Sequence, residues 1–128
     1  MAEQQNLVYR VMRADEHPQA LVVGIRAKNP LRRVHPQRHV THGNIEQDNW
    51  ISTTRNLLWA LSMQPLEGQP IYTINLDAVQ SQVIDLTILT NTRGWNPRSR
   101  NLALRASEVL IDTHIPPEAI ISIIPYQE

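Results

Sequence analysis

The chain has 128 residues and a formal net charge of zero, with 41% hydrophobic and 19% charged residues, which is typical of a folded globular protein and excludes a disordered one. Cysteine is absent, which excludes disulfide bonds and thiolate metal sites and fits a reducing cytosol. No run approaches the roughly 20 apolar residues of a membrane-spanning helix, and the first residues lack the layout of a signal peptide. We therefore expect one domain over residues 1–128, without a membrane partner.

The first part of the chain predicts one strand, one short helix and a long loop. Residues 7–12 are apolar and β-compatible, which predicts a strand with Arg10 near its end. Residues 17–23 predict a short helix, with Gly24 as a left-handed cap at its end. Residues 25–49 contain prolines and many polar residues without a clear period, which indicates a long irregular loop. Loops of that length in compact domains tend to be functional.

The middle of the chain predicts a strand, a helix and two further strands. Trp50 and Ile51 begin a short strand, after which the hydroxyl side chains of residues 52–54 are suited to cap a helix. The apolar face of that helix is predicted to consist of Leu57, Leu58 and Leu61. Residues 71–76 alternate as a strand does, and residues 83–89 indicate another extended segment.

The last part of the chain is predicted to be rich in β-structure. Residues 91–101 contain glycine, proline and asparagine and indicate a second long loop, which carries Trp95. Residues 108–111 and 119–124 are β-branched or apolar and predict two strands. Together these elements predict an α+β fold whose second half is mostly antiparallel.

The charges are unevenly distributed along this neutral chain. Two long segments, residues 17–45 and 86–107, contain no acidic residue. Such segments favour a local positive cleft for a phosphorylated ligand or an acidic partner, and a pair of solvated basic loops is the alternative. The basic residues in them are Arg26, Lys28, Arg32, Arg33 and Arg38 in the first, and Arg93, Arg98, Arg100 and Arg105 in the second.

Three residues hold the candidate chemistry. The guanidinium of Arg10 is a fixed fork of donors that suits a phosphate or ribose oxygen, although an arginine at a strand end is often only a surface charge. The hydroxyl of Ser52 lies at a predicted strand end, where a simple helix cap is the alternative. Glu108 opens a buried strand, where an unpaired carboxylate costs free energy, unless it is a rim residue paired with Arg105 or Arg10.

The order of these segments resembles the arginine, serine-threonine, glutamate pattern of mono-ADP-ribosyltransferases of the cholera and heat-labile enterotoxin type. The matching segments are Val8-Tyr9-Arg10, Trp50-Ile51-Ser52-Thr53-Thr54 and Ser107-Glu108-Val109-Leu110-Ile111. The resemblance implies the ADP-ribosyltransferase fold, in which two packed, mostly antiparallel sheets surround an NAD cleft with short helices at the side. It also implies NAD+ as the co-substrate and no metal.

The resemblance assigns catalytic roles to Glu108, Ser52 and Arg10. Glu108 would bond the nicotinamide-ribose hydroxyl and stabilise an oxocarbenium-like transition state, while Ser52 would brace the nicotinamide pocket. The expected NAD-binding residues are Tyr9, Arg10, His42, Ser52, Thr53 and Thr54, with His39 as the second choice of histidine. The family places its acceptor-recognition loop before the glutamate strand, which gives Arg93, Trp95 and Arg98 as recognition residues. Trp95 equally fits a side chain that packs back on the core.

One position departs from the enterotoxin pattern. Those enzymes carry a second Glu, or Gln in relatives, two residues before the catalytic glutamate, where it activates or selects the acceptor; this chain has Ala106. NAD cleavage is therefore expected without their route to arginine. The acceptor is expected to be a cytosolic macromolecule, a protein first and a nucleic acid as the alternative.

The small size resembles the detached C-terminal domain of a bacterial polymorphic toxin. Such an origin implies delivery from a producing bacterium as part of a larger secreted toxin, action in the cytoplasm of the target cell on an essential process such as translation, and a cognate immunity protein. Three other functions remain open: an NAD glycohydrolase on the same fold, a metal-independent ribonuclease that uses His39 and His42, and a non-catalytic binding module.

Overall fold

The computed structural model describes residues 6–42 and 47–127, and its elements confirm the predicted α+β class. The strands are Leu7–Val11 (β1), Ile25–Arg26 (β2), Trp50–Thr54 (β3), Ile71–Asn75 (β4), Val83–Asp85 (β5), Glu108–Asp112 (β6), His114–Ile115 (β7) and Ile120–Ile124 (β8). The α-helices are Ala20–Val23 (α1), Pro36–His42 (α2), Leu57–Glu67 (α3) and Pro97–Arg105 (α4). None of the helices described is long and apolar enough to cross a membrane.

The main sheet is antiparallel and consists of two halves that meet at a single residue pair. Its strand order is β5-β6-β3-β1-β4-β8, and β2 pairs with β7 in a separate two-stranded sheet. β1 is in register with β4, and β3 with β6, along five residues each, whereas β1 meets β3 only at Tyr9 and Thr54. Beyond that pair the halves separate, and a cleft opens between the ends of β1 and β3.

Two hydrophobic clusters cover the faces of this sheet. The larger one joins both halves through residues such as Val8, Ile51, Ile74 and Ile111. The smaller one contains Trp50, Leu86, Trp95, Ala103 and Leu110. Because side chains alternate along a strand and Ser52 is opposite Leu110 in register, Ser52 and Glu108 continue the face of β3 and β6 that the smaller cluster covers.

The helix after β3 differs from the prediction. Residues 52–54 belong to the strand, and the N-cap of α3 is Asn56, whose side chain accepts from the backbone N–H groups of Leu58 and Trp59 at 3.0 and 3.3 Å. The prediction that Leu58 and Leu61 form the buried face is wrong. Leu58 is 76% exposed, and Ala60 and Gln64 are buried instead. The amide of Gln64 is satisfied there by donating to the carbonyl oxygens of Gln69 and Ile124 at 3.2 Å.

The two predicted long loops contain regular structure. Residues 25–49 include β2 and α2, and residues 91–101 include the first turns of α4. Both helices begin at a proline, whose fixed φ angle suits the first helical position, and the Asn96 side chain caps α4 by accepting from Ser99 N–H at 2.8 Å. The predicted strand over 83–89 is shorter and ends at Asp85.

Gly24 ends α1 as predicted, but in a different conformation. Its φ of 83° is positive, while its ψ of −179° is extended and not that of a left-handed cap. A Cβ atom at this position would lie 2.3 Å from the carbonyl oxygen of Ile115. Glycine is therefore required both by its φ angle and by the close approach of β7.

Candidate active site

The cleft between the two halves of the sheet has a volume of about 750 Å³, within the range of small-molecule sites. It brings together the three predicted catalytic residues, Arg10, Ser52 and Glu108. The same three residues also line an adjoining cavity of about 220 Å³, whose wall includes the other predicted NAD-binding residues Tyr9, Thr53 and Thr54.

Arg10 braces the gap between the strands. Its Nη1 donates to the carbonyl oxygen of Ser52 at 2.8 Å, and its Nη2 donates to both carboxylate oxygens of Glu16 at 3.1 and 2.9 Å. Arg13 adds an ion pair to Glu16 at 3.2 Å. Within the described residues the buried Nε of Arg10 has no partner. The guanidinium is therefore mostly engaged with the protein itself.

Ser52 belongs to a chain of hydrogen bonds that includes His39. The Oγ of Ser52 lies 2.7 Å from Nε2 of His39, and Nδ1 of His39 lies 2.9 Å from both carboxylate oxygens of Asp48. Asp48 is held in turn by the backbone N–H of Trp50 at 2.9 Å. A carboxylate on one ring nitrogen fixes the orientation of the imidazole, so His39 is directed at Ser52.

Glu108 completes this chain. Burial raises the pKa of its carboxyl because the charged form loses hydration, while the charge of His39 and a hydrogen bond from Ser52 act in the opposite direction. Glu108 is half-buried and stands beside Thr54 in the register of β3 and β6. Glu108 is thus a carboxyl group that lines the cleft beside Ser52. The hydroxyl of Ser52 is itself held in place by its hydrogen bond with His39.

Thr53 and Thr54 shape the wall of the smaller cavity. Their hydroxyls donate to the carbonyl oxygens of Val109 and Ala106, at 2.8 and 2.5 Å, and both residues are buried. Their hydroxyl hydrogens are thus used within the protein. Tyr9 on β1 is half-buried and lines the same cavity.

The structure brings His39 into the cleft, whereas His42, the first choice from the sequence, lies outside its lining. His42 is the last residue of α2 and is exposed, with its Nδ1 2.7 Å from Thr41 Oγ1. The sequence predicts an irregular loop over residues 25–49. An irregular loop has no periodicity that would indicate which histidine faces inward. Gly43, the next residue in the chain, lies outside the described residues.

The three predicted recognition residues lie in three different environments. Trp95 is only 7% exposed and packs in the smaller cluster, which supports the alternative of packing on the core over contact with a partner. Arg93 is exposed at the end of a 3-10 turn outside the cleft lining, and Arg98 lines the cleft from α4.

The rim of the cleft is rich in cations. Arg13, Arg26, Lys28 and Arg98 all line it, and neither Arg26 nor Arg98 forms an ion pair with any residue that the structure describes. The described ranges also contain no group of His, Cys, Asp or Glu arranged to hold a metal ion. Asp48 and Glu16 are site residues that the sequence did not indicate, because only tertiary contacts pair them with His39 and Arg10.

Comparisons with known proteins agree with this architecture. The family model described as "Domain of unknown function (DUF7587)" matches residues 3–128. No curated protein matches the chain. Among solved structures, it is similar to EcPltA, with a TM-score of 0.69 and 19% identity over 95% of this chain and 76% of that one.

It is also similar to a tryptophan-to-alanine variant of the Scabin toxin from Streptomyces scabies, with a TM-score of 0.65 and 16% identity over 98% of this chain and 67% of that one. Both neighbours have the ADP-ribosyltransferase fold, which confirms the predicted fold. Similarity at such identity shows the fold and not the reaction. The chain thus has the ADP-ribosyltransferase fold and belongs to the DUF7587 family.

Proposed function

We propose that this protein is a mono-ADP-ribosyltransferase that cleaves NAD+ and transfers ADP-ribose to a target macromolecule. The observation that carries the proposal is the position of Glu108, a carboxyl that hydrogen-bonds Ser52 at the wall of a 750 Å³ cleft and whose pKa burial raises. Perturbed carboxyl groups in a cleft of this size are typical of catalytic sites.

Glu108 supplies electrostatic stabilisation in this proposal. When the bond between nicotinamide and ribose breaks, positive charge develops at the ribose, and a fixed carboxylate in a site of low dielectric stabilises that charge without reorganisation. Ser52 and His39 keep the carboxylate in position through their hydrogen bonds. Removal of such a group costs about 100-fold or more in rate.

The cations of the cleft fit the anionic diphosphate of NAD+. Arg13, Arg26, Lys28 and Arg98 line the cleft, and the buried Nε of Arg10 lacks an acceptor among the described residues. Arginine forks bind phosphate oxygens well. We assign the diphosphate to these rim cations and leave Arg10 mainly as the brace of β1 and β3, a change from its role in the sequence-based prediction.

The toxin group, the acceptor class and the route of delivery are proposed from the sequence pattern. The Arg10, Ser52 and Glu108 order supports the enterotoxin-like group, and Ala106 argues for an acceptor other than arginine. We propose a toxin or effector that acts in the cytoplasm of a target cell, delivered as part of a larger secreted protein from a competing bacterium, with an immunity protein that covers the cleft. A protein is the preferred acceptor, and a nucleic acid is the alternative.

The test is incubation of the protein with a cell lysate and NAD+ labelled in its adenylate. A macromolecule labelled by the wild type and not by Glu108→Ala supports transfer, and its digestion by protease or nuclease identifies the acceptor class. Glu118→Ala is the matched control, because Glu118 is exposed and does not line the cleft. Equal labelling by Glu108→Ala and the wild type contradicts the assignment.

An NAD glycohydrolase on the same fold is the second candidate, favoured by the absence of an acceptor-activating acid at position 106. It predicts release of nicotinamide and free ADP-ribose in a Glu108-dependent manner without a labelled macromolecule. A ribonuclease using two histidines is not retained, because His39 lines the cleft and His42 does not. A non-catalytic module predicts no turnover in either assay.

A further inference from the structure

We propose that Ser52, His39 and Asp48 form a nucleophilic triad, which gives the cleft a second activity: hydrolysis of esters or thioesters through an acyl group carried on Ser52. Ser52 is the nucleophile, His39 is the general base and acid, and Asp48 is a positioning residue that acts through His39. This activity goes beyond the proposed NAD chemistry, and neither reaction requires the other.

Both hydrogen-bond contacts of a triad are present. Ser52 Oγ lies 2.7 Å from His39 Nε2, and His39 Nδ1 lies 2.9 Å from both carboxylate oxygens of Asp48. A nucleophile within hydrogen-bond reach of its base, with a third group that orients the base, is the arrangement that activates a serine. Such a triad is identified by its geometry and not by the order of its residues along the chain.

Asp48 is placed as the orienting group of a triad is. The side chains of Asp48 and His39 are only 3% and 9% exposed, and Asp48 also accepts from the backbone N–H of Trp50 at 2.9 Å. Because a carboxylate only accepts, Nδ1 of His39 carries a hydrogen, and Nε2 of the neutral imidazole accepts the hydroxyl hydrogen of Ser52. Neutral His39 is therefore oriented to take the proton of Ser52.

Ser52 has a single hydroxyl hydrogen, so its two roles belong to different arrangements. When Ser52 donates to His39, its oxygen is activated as a nucleophile. When it donates to Glu108, it braces the carboxylate for NAD cleavage. The triad depends on the contact of Ser52 with His39 and not on Glu108.

Ser52 faces the open part of the gap between the strands, where it lines the cleft and the adjoining cavity. The N–H of Arg55 donates toward β6, to the carbonyl oxygen of Ser107 at 2.9 Å. Because these directions alternate along a strand, the N–H of Ser52 points the other way, as does its carbonyl oxygen, which accepts from Arg10. The Ser52 amide and the Arg10 charge thus lie on the side where they can stabilise an oxyanion.

The reaction balances without a further reagent besides water. As Ser52 Oγ forms a bond to the acyl carbon, its proton moves to His39 Nε2, and the leaving oxygen or sulfur departs with its electron pair and takes that proton. A water molecule then gives a proton to His39 and attacks the acyl carbon, and Ser52 Oγ leaves and regains the proton. The products are a carboxylic acid and an alcohol or thiol.

The cations of the same cleft indicate the substrate class. Arg26, Lys28 and Arg98 line the cleft, and guanidinium and ammonium groups bind phosphate oxygens. An acyl carbon held at Ser52 therefore has its leaving group inside a cationic cleft of about 750 Å³. The expected substrate is an ester or thioester whose leaving group carries phosphate.

The first experiment uses a fluorophosphonate probe, which phosphonylates the hydroxyl of an activated serine. Purified protein is incubated with excess probe, and the modified residue is located by mass spectrometry. We expect modification of Ser52 in the wild type and a maximal rate constant about 100-fold or more lower in His39→Gln, which lacks the base. Ser62→Ala and His42→Gln change exposed residues outside the cleft lining and should be labelled like the wild type.

A second variant tests the positioning role of Asp48. Asp48→Asn should lower the maximal rate constant of labelling about 100-fold or more and change the half-saturating probe concentration less than about twofold, because the probe still binds while His39 is no longer oriented. A loss of folded protein would lower the labelled amount and not the rate constant. Asp77→Asn, exposed and outside the cleft lining, is the matched control.

Acetyl coenzyme A and 4-nitrophenyl acetate test the substrate class. The wild type should hydrolyse both and Ser52→Ala neither, with a KM at least about tenfold lower for acetyl coenzyme A, which carries phosphate. An unmodified Ser52 in the wild type, an unchanged rate constant in His39→Gln or Asp48→Asn, or hydrolysis of neither substrate overturns the triad. Equal KM values overturn the substrate class. These assays contain no NAD+, so their outcome is distinct from that of the NAD-cleavage assay.

Discussion

Two polar clusters are buried beside the same gap in the sheet, and their charges balance differently. The bracing cluster consists of Arg10, Arg13 and Glu16, in which one carboxylate bonds two guanidinium groups. The cleft cluster consists of His39, Asp48, Ser52 and Glu108, in which Asp48 bonds the imidazole and the charge of the same imidazole acts on Glu108. The first has a surplus of cations and the second has a surplus of acids.

This difference separates a structural role from a chemical one. Buried charges are tolerated when they are paired and hydrogen-bonded, and Glu16 meets that condition through several bonds. Glu108 does not, because burial raises its pKa in spite of Ser52 and His39. A residue held in a state that costs stability points to selection for function. The bracing cluster is thus expected to govern folding and the cleft cluster to govern turnover.

The largest expected effect on stability comes from breaking the bracing cluster. Glu16→Gln leaves the Arg10 charge buried without a counter-charge, and removal of one partner of a buried pair costs about 3–5 kcal/mol. Denaturant unfolding measures this loss. The matched control is Asp15→Asn, whose pair with Arg13 is largely exposed and should change stability by no more than about 1 kcal/mol. Equal effects of the two variants would contradict the role of the bracing cluster.

The pH dependence of activity tests whether the cleft cluster governs turnover and not folding. Glu108 stabilises the transition state as the carboxylate, so activity should fall about tenfold per pH unit once the pH drops below its raised pKa. Protonation of Glu108 should at the same time favour the folded state, because its folded pKa lies above its unfolded value. Initial rates of nicotinamide release, measured with Tm at each pH, test this. Parallel loss of activity and Tm would assign the effect to unfolding instead.

A smaller effect is expected at the cationic rim. Arg26→Gln should raise KM for NAD+ about three- to tenfold with little change in kcat, because it removes a charge that binds substrate and transition state alike. The increase should shrink at high salt as the charges are screened. Arg105→Gln, at the end of α4 and outside the cleft lining, is the control. An unchanged KM at low salt would exclude Arg26 from the binding of the diphosphate.

The smallest expected effect is a gain of stability from the cleft cluster. Glu108→Gln removes a carboxylate whose ionisation opposes folding, so Tm at neutral pH should rise. Thermal melts measure the change, and the difference should vanish at low pH, where Glu108 is protonated. Glu118→Gln should leave Tm unchanged. A lower Tm in Glu108→Gln would place Glu108 among the structural groups.

The sequence predicted those features that depend on local pattern. Apolar, β-compatible runs predicted β1 and β6, and alternation predicted β4. The structure brings Arg10, Ser52 and Glu108 to one cleft. The helices α2 and α4 were missed because their signals are short: a proline at the first position and, in α4, an asparagine cap. Polar composition outweighed those signals and indicated loops.

Contacts between side chains on different elements could not be predicted from the sequence pattern. Nothing local shows that Glu16 holds Arg10, or that Asp48 selects His39 over His42, because the strands and α2 first bring those groups together. Trp95 shows the same limit, since an aromatic residue in a polar segment packs in the core once α4 forms. The roles assigned to the site residues stay predictions.

The most direct test of the central claim is the rate of nicotinamide release from NAD+ by purified wild-type protein and by Glu108→Gln, with folding checked by thermal melts. We predict that the wild type releases nicotinamide and that Glu108→Gln loses about 100-fold or more of the rate while remaining at least as stable. Release at the wild-type rate by a folded Glu108→Gln protein would contradict the assignment of this cleft as an NAD-cleaving site.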